Sequence, residues 1–280
     1  MASPVTPAAT PVTPVVAPHK LLWTIWHTVV IVGIAAAVVL TGILTPSSYR
    51  VWAWIVIMAL LLLFIVVTGH GITGLWRGAL IDEQNTMSLS RLQMSLWTIV
   101  VLSAFLTAAL DNVHTKQTDP LSIAIPVEVW ALLGITTTAL IATPLILNVQ
   151  KLQPLQTPPG GAAGEQSEDA FIRAQGLNPD QQKAVGQVVM KIAPQLASWG
   201  DIFTGDQIGN GAHLDLAKIQ MFYFTLVLVV AYAVALGALF TATGPIKSFP
   251  VVNQAMVALL GISNAGYLAN KVIPHPPVAS

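Results

Sequence analysis

His27 and His70 are the first residues whose type and placement suggest chemistry. Each lies near one end of a long apolar run, and if those runs form an antiparallel helical hairpin, both imidazoles fall toward the same end. Two histidines facing each other across a helix pair are a ligand set for a b-type haem. No glycine pattern around them backs such a pocket. A second group, Asp201, Asp206, His213 and Asp215 around GDQIGNGAHLD, has one imidazole and scattered carboxylates without metal-ligand spacing, and it reads as a capped turn leading into a helix. With no cysteine there is no thiolate nucleophile, no thiolate-bound zinc, no iron–sulfur cluster and no covalent haem attachment. A Walker loop, a dinucleotide fingerprint, a nucleophile elbow and a zinc-protease helix are all missing from the sequence. The expectation is a protein that is not an enzyme and needs no cofactor or metal.

The other polar residues of interest lie inside apolar runs, where each has a cost. Thr136, Thr137 and Thr138 follow Gly134, and Ser263 and Asn264 follow Gly261. Small and hydroxyl residues at such depth let helices approach and supply modest interhelical hydrogen bonds, or they line a conduction path. Glu128 and Asp111 stand at run ends as interfacial carboxylates, and a ring of Glu128 at an oligomeric pore mouth is the functional alternative.

These residues must be positioned by membrane helices. Of the 280 residues 54% are hydrophobic and 9% charged, and the mean hydropathy is +0.71; a soluble domain carries far more charge. Lysine plus arginine equals aspartate plus glutamate at 12 each, so no field points to nucleic acid. Runs near the roughly 20 residues needed to cross a bilayer cover 21–44, 51–67, 92–110 and 219–240, and two more polar runs cover 123–147 and 251–272. Tryptophans 23, 26, 52, 54, 76, 97 and 130 lie near the run ends, as interfacial anchors do. The reading is an all-α polytopic membrane protein with six transmembrane helices. A cytoplasmic N-terminus puts nine basic residues inside and leaves Arg50, Lys116 and Lys247 outside. Both termini and the long segment from about Val149 to Asp215 are then cytoplasmic.

SLSRLQMSLWT from Ser88 recurs as DLAKIQMFYFT from Asp215, 127 positions later. The same offset matches ALLGI at Ala131 with ALLGI at Ala258, and Thr136 with Ser263. Two helices with their lead-in have therefore been duplicated in the same orientation, a parallel repeat. At the lead-in, Ser88 and Asp215 are read as N-caps. Arg91 and Lys218, placed against the helix dipole, are read as anchors snorkelling to anionic headgroups. Gln93 and Gln220 begin the buried helix and are expected to hydrogen-bond across to a neighbour. The organisation is a Pro-rich cytoplasmic tail at 1–18, an N-terminal hairpin at 19–75, repeat 1 at 76–148, a cytoplasmic linker at 149–202, repeat 2 at 203–274 and a tail at 275–280. The tail, with PVTP at Pro4 and Pro11, favours extended polyproline structure. Within the linker, Asn178 and Pro179 look like a helix start, with Ala184, Val188, Ile192 and Leu196 on one face of an amphipathic helix.

SLSRLQMSLWT with IPVEVWALLGITTT, and LDLAKIQMFYFT with ALLGISNAGYLANKV, resemble a group of uncharacterised bacterial multi-pass inner-membrane proteins over roughly 81–147 and 203–274. That resemblance implies a bacterial inner membrane and no particular activity. The functional expectation is a structural or anchoring subunit of a larger membrane assembly, in contact with the lipid bilayer and with partner proteins or further copies of itself. The alternative is an oligomeric passive ion channel with a hydroxyl-lined pore.

Overall fold

The computed structural model describes residues 22–154 and 165–275. The Pro-rich tail, the stretch 155–164 and residues 276–280 lie outside the described residues. The long helices are α1 (Ile25–Leu44), α2 (Arg50–Thr73), α3 (Leu89–His114), α4 (Val127–Leu152), α6 (Leu216–Thr241) and α7 (Gln254–Val272), with the short α5 (Glu165–Ala174) before the hairpin β1 (Gln182–Val185) and β2 (Val188–Lys191). Among the described residues five helices are long and apolar enough to cross a membrane: α1, α2 with its preceding turn, α3, α4 and α6. The sixth expected span, α7, is a 19-residue helix diluted by Gln254, Ser263, Asn264, Asn270 and Lys271, and falls short on apolarity.

α3 is the axis of the bundle, with 56% of its most apolar stretch buried against 17% for α1. It packs on α1, α2, α4 and α6, while α7 packs on α4 and α6. At the α1–α3 crossing, a Cβ on Gly42 would lie 2.4 Å from Leu110, so only glycine allows the approach. Trp97, Ala104, Ala108, Val129, Leu132, Leu236 and Leu260 fill the centre. Lipid tails are as apolar as these side chains, so dispersion and close fit hold this core more than the exclusion of water does.

Loops 74–88 and 203–215, the hairpin and α5 form a module at one end of the bundle. The amphipathic helix expected from Asn178 is instead this hairpin. Val185 and Val188 flank a two-residue turn, Gly186-Gln187, and Gly186 has φ +59°, the left-handed region a hairpin turn demands and a helix forbids. The apolar residues do not settle the period; the turn conformation of Gly186 does. A Cβ on Gly186 would meet the Lys151 carbonyl at 2.4 Å, so the turn rests on the C-terminal end of α4, where Gln187 N–H donates to Gln150 O at 3.2 Å. β2 also bridges the two lead-in loops: Val189 N–H donates to Asp206 O at 3.0 Å and Lys191 N–H donates to Gln84 O at 2.9 Å. Ile172 of α5, with Leu177, Val189 and Ile208, makes a small core of the module's own.

Candidate functional site

The two lead-in loops place the matched basic residues in different surroundings. Asp215 caps α6, its carboxylate accepting from Ala217 and Lys218 N–H, while its other oxygen accepts from Asn270 at 3.1 Å. One turn on, Lys218 is 3% exposed. It does not reach outward to headgroups, because Asp206 lies 2.9 Å from its ammonium and the Thr204 and Asp201 carbonyls accept from it as well. Lys271, at the end of α7, pairs with the other oxygen of Asp206 and lies over the Tyr267 ring. Two cations thus share one carboxylate. Burial alone would raise the Asp206 carboxyl, but the charges of Lys218 and Lys271 and their hydrogen bonds outweigh it and hold the group well below the usual carboxylate range.

In the first loop, Ser88 occupies the N-cap position of α3, yet its side chain makes no capping bond; its own N–H is taken by Leu80 O at 2.8 Å. Arg91 is partly exposed and lines an open cleft of about 400 Å³ with Asp82, Glu83, Thr143 and Pro144. Asp82 folds the loop by accepting from the N–H groups of Gln84 at 2.9 Å and Thr86 at 3.1 Å. Burial raises its carboxyl above the ordinary value, partly offset by these bonds. Counted at the offset of 127, Ala79 stands where the second loop has Asp206, and Pro144 where α7 has Lys271. The lead-in glutamines also diverge. Gln93 is fully buried but, among the described residues, neither end of its amide has a hydrogen-bond partner. Gln220 faces outward and is exposed, so the expected pair of interhelical bonds is not made.

At the opposite end of the bundle lies an ion pair that single-position reading missed. Arg50, 6% exposed, donates to Asp111 at 3.2 Å, to the Ser47 carbonyl at 3.1 Å and the Gly244 carbonyl at 2.8 Å, and also to the Ala242 carbonyl. It joins the start of α2 to the ends of α3 and α6 in one knot. The signal for it was a lone arginine and a lone aspartate at the same end of neighbouring apolar runs. Glu128 is elsewhere, partly exposed in the first turn of α4.

His27 and His70 are brought together as the hairpin argument requires, with Nε2 of His27 3.0 Å from Nδ1 of His70. Their rings are stacked with centroids 5.3 Å apart, and Trp76 covers His70. A haem would have to pass between two rings already in direct hydrogen-bond contact, so the pair does not fit that cofactor; it fastens α1 to α2.

Thr136 and Thr137 both donate to Leu133 O, at 2.9 and 2.8 Å, and Thr138 donates to Gly134 O at 2.9 Å. With Thr136 buried and Thr138 exposed, the three hydroxyls fan around α4 and define no shared path within the chain. A polar cluster is buried closer to the lead-in loops. Ser90, Thr143 and Tyr267 are mutually bonded at 3.2 to 3.4 Å. Gln93, Trp97, Thr225, Tyr232, Ser263 and Asn264 each bury a polar side-chain atom with no partner among the described residues.

Compared with known proteins, the chain matches no family model, no curated protein and no solved structure.

Proposed function

We propose that the protein is a non-enzymatic subunit that anchors or scaffolds a larger assembly in a bacterial inner membrane, both termini and the 149–215 module being cytoplasmic. In this reading α7 is the sixth span, and α3–α4 and α6–α7 are the two copies of a parallel repeat. The common length of α3 and α6, 26 residues each, supports the duplication, as does the offset of 127 that relates their starts and those of α4 and α7. The observation that carries the scaffold role is the way β2 ties both lead-in loops and α4 into one rigid platform. Such a platform presents a fixed surface and leaves no lead-in loop free to gate.

The buried polar atoms of Gln93, Thr225, Tyr232, Ser263 and Asn264, partnerless among the described residues, favour a second reading, passive conduction, because buried groups of this kind draw in water. Reconstitution in liposomes separates the two. A scaffold gives no selective flux, and native purification recovers a partner protein or a homo-oligomer. Selective current that Asn264→Leu abolishes while the oligomer persists overturns the scaffold reading.

A further inference from the structure

The cleft at Arg91 does not end at the headgroup level. Met94 lines its floor and also lines the top of a second groove of about 590 Å³, which continues between α3 and α4 past Thr98, Leu102 and Phe105 on one side and Trp130 and Leu133 on the other. The upper cleft is lined by the charged Asp82, Glu83 and Arg91 among apolar residues; the lower groove is almost wholly apolar. From Arg91 to Phe105 the helix rises roughly 21 Å, comparable to one leaflet, headgroup region included, of a bilayer about 40–45 Å thick. A charged head site opening into an apolar slot one leaflet long has the shape of a phospholipid.

The second copy shows what a filled site looks like. There Asp206 and Lys271 stand in place of Ala79 and Pro144, the Asp206 carboxylate pairing with both Lys218 and Lys271, and Met221, Thr225 and Tyr232, the counterparts of Met94, Thr98 and Phe105, are buried in protein. In the first copy, among the described residues, Arg91 has no hydrogen-bond or ion-pair partner. A guanidinium takes a phosphate in a two-pronged bond. Glu83, exposed on the cleft's rim, and Asp82 behind it would repel a purely anionic head and suit one that also bears an ammonium.

We propose that the α3–α4 groove of the first repeat binds one aminophospholipid from the leaflet on the Arg91 side, phosphate on Arg91, ammonium toward Glu83 and Asp82, and one acyl chain along Met94 to Phe105. The assignment rests on the membrane-spanning reading of α3 and α4. Native mass spectrometry of the detergent-purified full chain tests it, with phosphatidylethanolamine and phosphatidylglycerol offered in turn. One phosphatidylethanolamine should be retained in preference to phosphatidylglycerol, and Arg91→Gln should weaken retention at least about tenfold, the loss expected for one hydrogen bond to a charged group. Thr98→Trp, which fills the apolar groove without touching the head site, should also displace it. Equal retention by wild type and both variants overturns the proposal. So does preference for phosphatidylglycerol, or binding of inorganic phosphate at Arg91 with no lipid adduct. Release of the protein from membranes by alkaline carbonate without detergent would instead sink the membrane reading.

Discussion

Arg91 and Lys218 begin two helices of equal length at matched positions, and their fates are opposite. Lys218 is sealed into a three-charge cluster with Asp206 and Lys271; Arg91 stands in an open cleft beside Ala79 and Pro144. Two substitutions by position, one for a carboxylate and one for a second cation, separate a closed structural joint from an accessible site. Two helices of one length and one lead-in pattern thus place their first cation in different surroundings, and the difference lies in which lead-in supplies the charge's partner. A first-turn cation is disfavoured by the helix dipole; Lys218 meets a carboxylate within the protein, whereas Arg91 lies partly exposed in its cleft.

The largest effect expected on this contrast comes from Asp206→Asn. Removing the shared carboxylate leaves two buried ammonium groups without a counter-charge, and breaking a buried pair in this way costs about 3–5 kcal/mol. Thermal unfolding of the detergent-purified variant should fall by many degrees; an unchanged midpoint would mean that the cluster contributes little. The pH dependence has a definite sign. Because the folded Asp206 carboxyl is held below its unfolded value, its stabilisation is present above the ordinary carboxylate range and lost only as pH falls through that range and below it. Acid unfolding monitored by tryptophan fluorescence should show this late loss in wild type, and Asp206→Asn should lack it.

A smaller change tests the comparison from the other side. Ala79→Asp restores a carboxylate where the first loop lacks one, and should pair with Arg91 for no more than about 1 kcal/mol, since Arg91 is partly exposed. Its diagnostic result is loss of the retained lipid with little change in melting. The smallest effect is expected of Arg91→Gln on stability itself, within about 0.5 kcal/mol. A large drop would show that Arg91 has a structural role like that of Lys218.

Much of the scaffold was legible in the sequence because the signals are long. Twenty-residue apolar runs locate α1, α2, α3, α4 and α6 within a few positions, and the SRLQM and KIQM lead-ins mark where α3 and α6 begin. Short-range signals failed where tertiary pairing decides. The stretch from Asn178 has apolar residues compatible with either period, and only the dock of Gly186 on the end of α4 selects the hairpin. The Lys218 cluster was illegible at single positions because Asp206 and Lys271 belong to separate elements. Aligning the two copies and asking where charge appears in one alone picks out both of its partners. The burial of Gln93 and the exposure of Gln220 have no such signal, since the same residue in the same register meets different neighbours.

Arg50 carries one more implication, for the order in which the chain is built. Its carbonyl acceptors at Ala242 and Gly244 lie more than 190 residues downstream, so during synthesis the first two helices are in place long before the knot can close. Until α6 has emerged and turned, the arginine has only Ser47 and Asp111 to satisfy it. The hairpin is by then already packed on α3, so the last two acceptors close over a docked pair of helices and tie the far end of α6 to the start of α2.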